Sequence, residues 1–209
     1  MRKTFSTTSI DRCISIGYRP ASPNGKIVGW QHRVTGSSIL ARWLPPAFAK
    51  GIDGDAVDSA VDIPYAIPNL RIRRTRDEPP AVPTGFWRGV GPNNNVFAIE
   101  SFIDELALKV NKDPVAFRRE MLQGTPRLLA VLDLAAEKSG WGQPLPKRSG
   151  RGVAVQTSFA SYIATVAEVE VEEVGRSARE AHRLRGRHRH RRSIRIPSLR
   201  SSRVVSSSV

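Results

Sequence analysis

Apolar side chains recur at helical spacing through the middle of the chain. Ile99, Phe102, Ile103, Leu106 and Val110 fall three and four residues apart, which lines one face of a helix. Asn94 or Asn95 can cap its start. A second helix is predicted from Asp113-Pro114, because Asp is a good N-cap and Pro lacks a donor that the first helical position does not need. It should bury Phe117, Met121 and Leu122 and stop at Gly124. Thr125-Pro126 opens a third by the same logic, carrying Leu128, Leu129, Leu132 and Ala135 as far as Gly140.

Shorter patterns flank the helices. Ser22-Pro23-Asn24-Gly25 is a turn signal, and Lys26 to Val34 is an apolar-rich strand candidate. Trp43-Leu44-Pro45-Pro46 ends any regular element by removing backbone donors. Residues 51–62 are acidic and loop-like. Tyr65 to Arg73, entered through Pro64, is predicted as an extended strand. Pro79, Pro80 and Pro83 then lead irregularly into Thr84-Gly85-Phe86-Trp87-Arg88-Gly89-Val90-Gly91-Pro92. After a Gly/Pro loop at 141–150, residues 152–158 and 162–172 are two strand candidates. In the second, Thr165, Ala167, Val169 and Val171 alternate with Val166, Glu168, Glu170 and Glu172, which suits a sheet wet on one face. Strands, three consecutive helices and strands again make the expected class α+β.

Composition narrows the chemistry. The 209 residues suit one medium domain or two small ones. A lone Cys13 excludes an internal disulfide and a cysteine-ligated zinc or iron–sulfur site built from this chain alone. No apolar run reaches the roughly 18–20 residues of a membrane span. Met1-Arg2-Lys3 is followed by Asp11 and Arg12 before an apolar stretch can form, so no secretory signal is expected and a cytoplasmic location is the default.

The net charge of +14 is concentrated in one place. Residues 174–209 hold eleven Arg against the single acid Glu180, with many Ser and few large apolar side chains, so a disordered basic tail is expected. Three readings compete for it. A basic arm neutralising phosphates makes nucleic acid the alternative partner, but no aromatic interleaves the arginines for base stacking. An ordinary flexible tail is the second. The third is translation in a shifted frame, because the pattern breaks abruptly within a promising strand. Metal binding by His182, His188 and His190 is opposed by the surrounding guanidinium charges.

Ile67-Pro68-Asn69-Leu70-Arg71, Gly85-Phe86-Trp87-Arg88-Gly89-Val90-Gly91, Glu100 to Ala107, Asp113-Pro114 and Phe117-Arg118 together resemble the xanthine dehydrogenase/aldehyde oxidase family, in its large molybdenum-cofactor-binding subunit. Trp43-Leu44-Pro45-Pro46 and Val166-Ala167-Glu168-Val169 look most like the isoquinoline 1-oxidoreductase β-subunit branch. The resemblance runs from about Tyr18 to about Val171, within a domain taken as 18–173. Residues 1–17 do not match, and 174–209 form the separate tail. Such enzymes hydroxylate an N-heterocycle or an aldehyde with water-derived oxygen on a molybdenum–pyranopterin cofactor. A glutamate serves as base, and electrons leave through an iron–sulfur small subunit. The resemblance implies that Trp87, Arg88, Gly89 and Gly91 lie against the cofactor and that Val90 faces the substrate. Aliphatic Val90 cannot stack on a ring as the aromatic of xanthine-oxidising members does, which disfavours purines.

The residues themselves support this in part. Gly85, Gly89 and Gly91 let a backbone approach a bulky anion, a helix start favours negative oxygens, and Arg88 adds a fork of donors. The family's earlier Gly-rich cofactor loop and its late Gly-Glu motif with the catalytic base are absent. Glu100, Asp104 and Glu105 do not replace that base. On a helix they are expected on a solvated or Arg-paired face, with Glu100 and Asp104 repelling slightly. The chain is therefore expected to be an internal fragment of a larger subunit, inactive alone, with no catalytic residue and no metal ligand of its own.

Overall fold

The computed structural model describes residues 2–7, 12–20, 25–48, 51–78, 84–170 and 192–195. Strands β1 (Arg2–Thr7), β2 (Arg12–Pro20) and β3 (Ile27–Gly36) form an antiparallel run. Short helix α1 (Ile39–Trp43), a 3-10 turn (Pro45–Ala47) and the single turn α2 (Gly54–Val57) follow. Strand β4 (Leu70–Arg76) returns parallel to β3, giving the order β1-β2-β3-β4. Three helices come next: α3 (Pro92–Lys109), α4 (Pro114–Met121) and α5 (Pro126–Lys138). Strands β5 (Ser149–Ser158), β6 (Ser161–Glu170) and β7 (Arg192–Arg195) close an antiparallel second sheet. The class is α+β, as expected.

Local chemistry explains the helices, with two corrections. Asp113 caps α4, its Oδ1 accepting from the backbone of Val115 at 3.0 Å and Ala116 at 2.9 Å. Thr125 precedes α5 but instead donates its hydroxyl to the carbonyl of Leu122. Helix α3 begins at Pro92, earlier than a cap at Asn94 or Asn95 allows. Proline presets the first helical φ and needs no partner, and the carbonyl of Gly91 accepts from both Asn94 and Asn95. This releases the Asn95 side chain to turn inward.

One strand expectation also shifts, and the buried face of β6 is now fixed. The extended segment from Tyr65 becomes a ladder only at Leu70, because Tyr65 is buried, Ala66 donates to the carbonyl of Met121, and Pro68 offers no donor. On β6 the buried residues are Ala164 and Val166, opposite Val155 and Val153, while Val169 is exposed. The buried face is thus the one that also carries Glu168, which reaches Arg151 at the strand's end. Val171 and Glu172 lie outside the described residues, as do Ser22 to Asn24 of the expected turn. Within the basic tail, Arg192–Arg195 pairs with β6. The remainder of that segment, with its three histidines, lies outside the described residues.

The core gathers Trp30 and Val34 of β3, Phe102, Ile103 and Leu106 of α3, Leu128 and Leu132 of α5, and Val153 and Val155 of β5. Trp30 meets Phe102 edge-on, with ring centroids 5.4 Å apart. Helix α3 contacts both sheets, through β2 of the first and β5 of the second.

Candidate functional site

The glycine-rich turn is held at both ends and open in the middle. At its start the indole of Trp43 donates to the buried Thr84 carbonyl at 2.9 Å. Phe86, Trp87 and Arg88 then project outward, with Phe86 58% and Trp87 60% exposed. Gly89 and Val90 both take positive φ, 86° and 51°. For a β-branched residue that is a strained backbone, costing of order 1–3 kcal/mol. The amide of Val90 donates back to the Trp87 carbonyl, and Asn93 donates to the carbonyl of Arg88. A Cβ on Gly91 would strike the carbonyl of Asp55. That glycine is therefore required by the chain's own packing on α2.

Facing the turn is the β5–β6 hairpin, whose two linking residues, Phe159 and Ala160, both have positive φ (48° and 57°). This is the geometry of a tight hairpin turn, usually given to Asn-Gly. Phe159 is 80% exposed. Between turn and hairpin lies an open cleft of about 400 Å³. Its floor is Pro92, Asn93, Val96 and Phe97 of α3. Gly89 forms one wall, and Gln156, Ser158, Phe159, Ser161 and Ile163 form the other. Its polar lining is neutral amides and hydroxyls, with no carboxylate among the lining residues, and Arg88 stands one residue from Gly89. Such a donor set fits an oxygen-rich anionic group and repels no negative charge.

Two buried polar clusters involve α3, the helix that also carries the cleft floor. His32 on β3 is fully buried, with Nε2 at 3.2 Å from Asn95 Oδ1, and Asn95 Nδ2 donates to the carbonyls of Ala56 and Asp58. Burial lowers the His32 pKa to about 4, against the opposing pull of Asn95. Glu100 and Arg118 form the second cluster. Arg118 is fully buried and reaches Glu100 at 3.0 Å and Asp104 at 2.5 Å. Glu100 also accepts from the Tyr65 hydroxyl at 2.7 Å and from the backbone of Val155 at 2.9 Å. Burial pushes the Glu100 carboxyl upward, resisted by Arg118, Tyr65 and Val155. Burial works against the charge of Arg118 too, but Glu100, Tyr65 and Asp104 outweigh it and the guanidinium is held protonated more firmly. Glu100 and Asp104 are thus an Arg-paired face, bridged rather than repelling.

The five expected site residues are contiguous but not equivalent. Gly89 lines the cleft, Trp87 and Arg88 lie on the exposed side of the turn, Val90 is half-buried and Gly91 is buried. The hairpin wall was not anticipated from sequence, because Phe159-Ala160 carries no glycine or asparagine. Its one available signal is the very short gap between two strand patterns. Among the described residues no cluster of three or more His, Cys, Asp or Glu could hold a metal ion.

Comparison with known proteins gives the class. Residues 21–122 match the model of the molybdopterin cofactor-binding domain. The chain belongs to the molybdopterin-binding xanthine dehydrogenase/aldehyde oxidase family. It is 32% identical over 154 residues to isoquinoline 1-oxidoreductase subunit beta of Brevundimonas diminuta, covering 69% of this chain and 19% of that protein. The chain thus spans about a fifth of that curated relative's length. Its fold is similar to the aldehyde oxidoreductase of Desulfovibrio gigas (TM-score 0.51, 19% identity, 77% of this chain and 19% of that one). Quinoline 2-oxidoreductase of Pseudomonas putida 86 is similar as well (TM-score 0.50, 18% identity, 69% of this chain and 21% of that one). Among the described residues no helix is long and apolar enough to cross a membrane.

Proposed function

We propose that this chain supplies one wall of the molybdenum–pterin site of a molybdenum hydroxylase that acts with water on an N-heterocycle or an aldehyde. The observation that carries this reading is the open cleft between the strained turn and the hairpin, lined by neutral donors beside an exposed arginine. When bound, the molybdenum–pterin group supplies the redox chemistry of hydroxylation. Arg88 and Trp87 would then face the cofactor, with Arg88 holding oxygen atoms through its fork of donors. Gly89 is required by its positive φ and by the Asn93 side chain, which fills the space a Cβ would take, and Gly91 anchors the turn to α2. Val90 offers the substrate an apolar surface without stacking, which favours a non-purine ring or an aldehyde. Phe97 and Phe159 add exposed apolar surface to the cleft.

The base is missing from this arrangement. No carboxylate lines the cleft, Glu100 is fully engaged by Arg118, Tyr65 and Val155, and Asp104 is bound to Arg118. Proton abstraction therefore has to come from outside these residues, and electrons would pass to an iron–sulfur partner subunit. The test is to purify the chain, assay bound molybdenum and pterin, and measure dye-linked oxidation of a heterocycle and an aldehyde. The expected result is no turnover by the chain alone. Stoichiometric molybdenum with turnover would overturn the partial-site reading. The matched relatives and solved structures are oxidoreductases by name and lend no support to nucleic acid as the partner.

A further inference from the structure

We propose that helix α3 gauges the width of the cleft, with Asn95 and Glu100 as positioning residues that tie one wall each to the same rigid element. The inference rests on the reading of the cleft as the cofactor site. The cleft floor, Pro92 to Phe97, belongs to α3. Asn95 points to the side opposite the cleft. Both hydrogens of its amide are taken by the carbonyls of Ala56 and Asp58, at 3.1 and 2.7 Å. Its oxygen must then accept from His32, which places the imidazole proton on Nε2. The tie is supported one residue before the helix by Gly91, packed against the neighbouring Asp55 carbonyl. The glycine-rich turn is thereby fixed to β3 and α2.

Glu100, little more than one turn further along, does the same for the opposite wall. Val155 is on β5, an edge of its sheet in the order β5-β6-β7, and its outward amide meets no strand among the described residues. The buried Glu100 carboxylate accepts that amide at 2.9 Å. The next residue, Gln156, already lines the cleft. Apolar residues at 95 and 100 would pack the core at lower desolvation cost, so two buried polar side chains imply a demand for defined geometry. Loss of either tie frees a wall to move relative to the floor, and positioned ligands are sensitive to displacements of about 1 Å.

The experiment measures the gap between the walls. In the full chain with Cys13→Ser, spin labels at Phe86 and Ser161 report the distance between turn and hairpin, and labels at Leu108 and Glu137 report a control distance between α3 and α5. Glu100→Asp keeps the charge that Arg118 needs but is one methylene too short for Val155. Asn95→Ser removes the first tie. Each is expected to at least double the width of the turn–hairpin distribution and leave the control unchanged. An unchanged gap, or equal broadening of the control, overturns the proposal. Where a variant fails to fold, hydrogen exchange on the unmodified chain decides. The Val155 amide is expected to exchange as slowly as the β5–β6 ladder, and exchange at the rate of a free edge amide overturns the proposal. Because the gap is read without cofactor, the expected broadening in the variants together with absent molybdenum–pterin binding would remove the functional reading alone.

Discussion

Arg118 and Arg88 put the same side chain to opposite uses. Arg118 is fully buried, and every acceptor it needs is supplied by the chain: Glu100, Asp104 and the carbonyl of Pro114. Arg88 stands exposed on a turn whose backbone is strained at Val90, whose Gly89 lines the cleft and whose Gly91 is packed on α2. An arginine whose counter-charges lie in its own fold stabilises that fold. One left exposed on a strained, anchored turn is available to a ligand. The arginines in this chain therefore have to be sorted by the partners the fold gives them.

The largest effect should come from the buried partner. Arg118→Met leaves Glu100 with no cation inside the core, and a loss of about 3–5 kcal/mol in urea unfolding is expected; a loss below about 1 kcal/mol would erase the contrast with Arg88. Next is acid. The His32 pKa is held at about 4 in the fold, against 6.5 for the free side chain. The neutral ring therefore favours the folded state above pH 6.5, and that contribution disappears as pH falls from 6.5 towards 4. It amounts to about 3 kcal/mol. Urea midpoints at pH 7 and pH 4 should differ accordingly, and His32→Gln should shrink the difference. Gly91→Ala should cost roughly 1–3 kcal/mol through the clash with Asp55, which would show that the turn's anchor and not its tip bears stability. Smallest is Arg88→Ala, expected within about 0.5 kcal/mol of the parent in the same assay. A larger change would mean that Arg88 also serves the fold.

The helices were legible because their signals are local: apolar spacing at Ile99, Phe102, Ile103 and Leu106, and Asp113-Pro114 as a cap. The roles of charged residues on those helices were only half legible. Spacing put Glu100 and Asp104 on one face, but whether Arg118 came to them depended on how α4 folds back along α3. The same limit hid Asn95, whose residue type suggests a cap and whose place one turn inside α3 directs it to His32 instead. On β6 the alternation was visible and its direction was not, since Val166 and Glu168 share a face and only the partner strand decides which end is buried. The glycine-rich turn could be recognised by resemblance. The hairpin across from it could not, because Phe159-Ala160 holds a turn conformation that its residue types do not announce.

Limited trypsin digestion of the full chain, with and without the molybdenum–pterin cofactor, tests most directly whether the cleft is the cofactor's. Cleavage after the exposed Arg88 should slow at least tenfold when the cofactor is present, while cleavage after Lys147 in a distant exposed loop stays unchanged. Equal cleavage rates after Arg88 under both conditions would contradict the assignment of this turn to the molybdenum site.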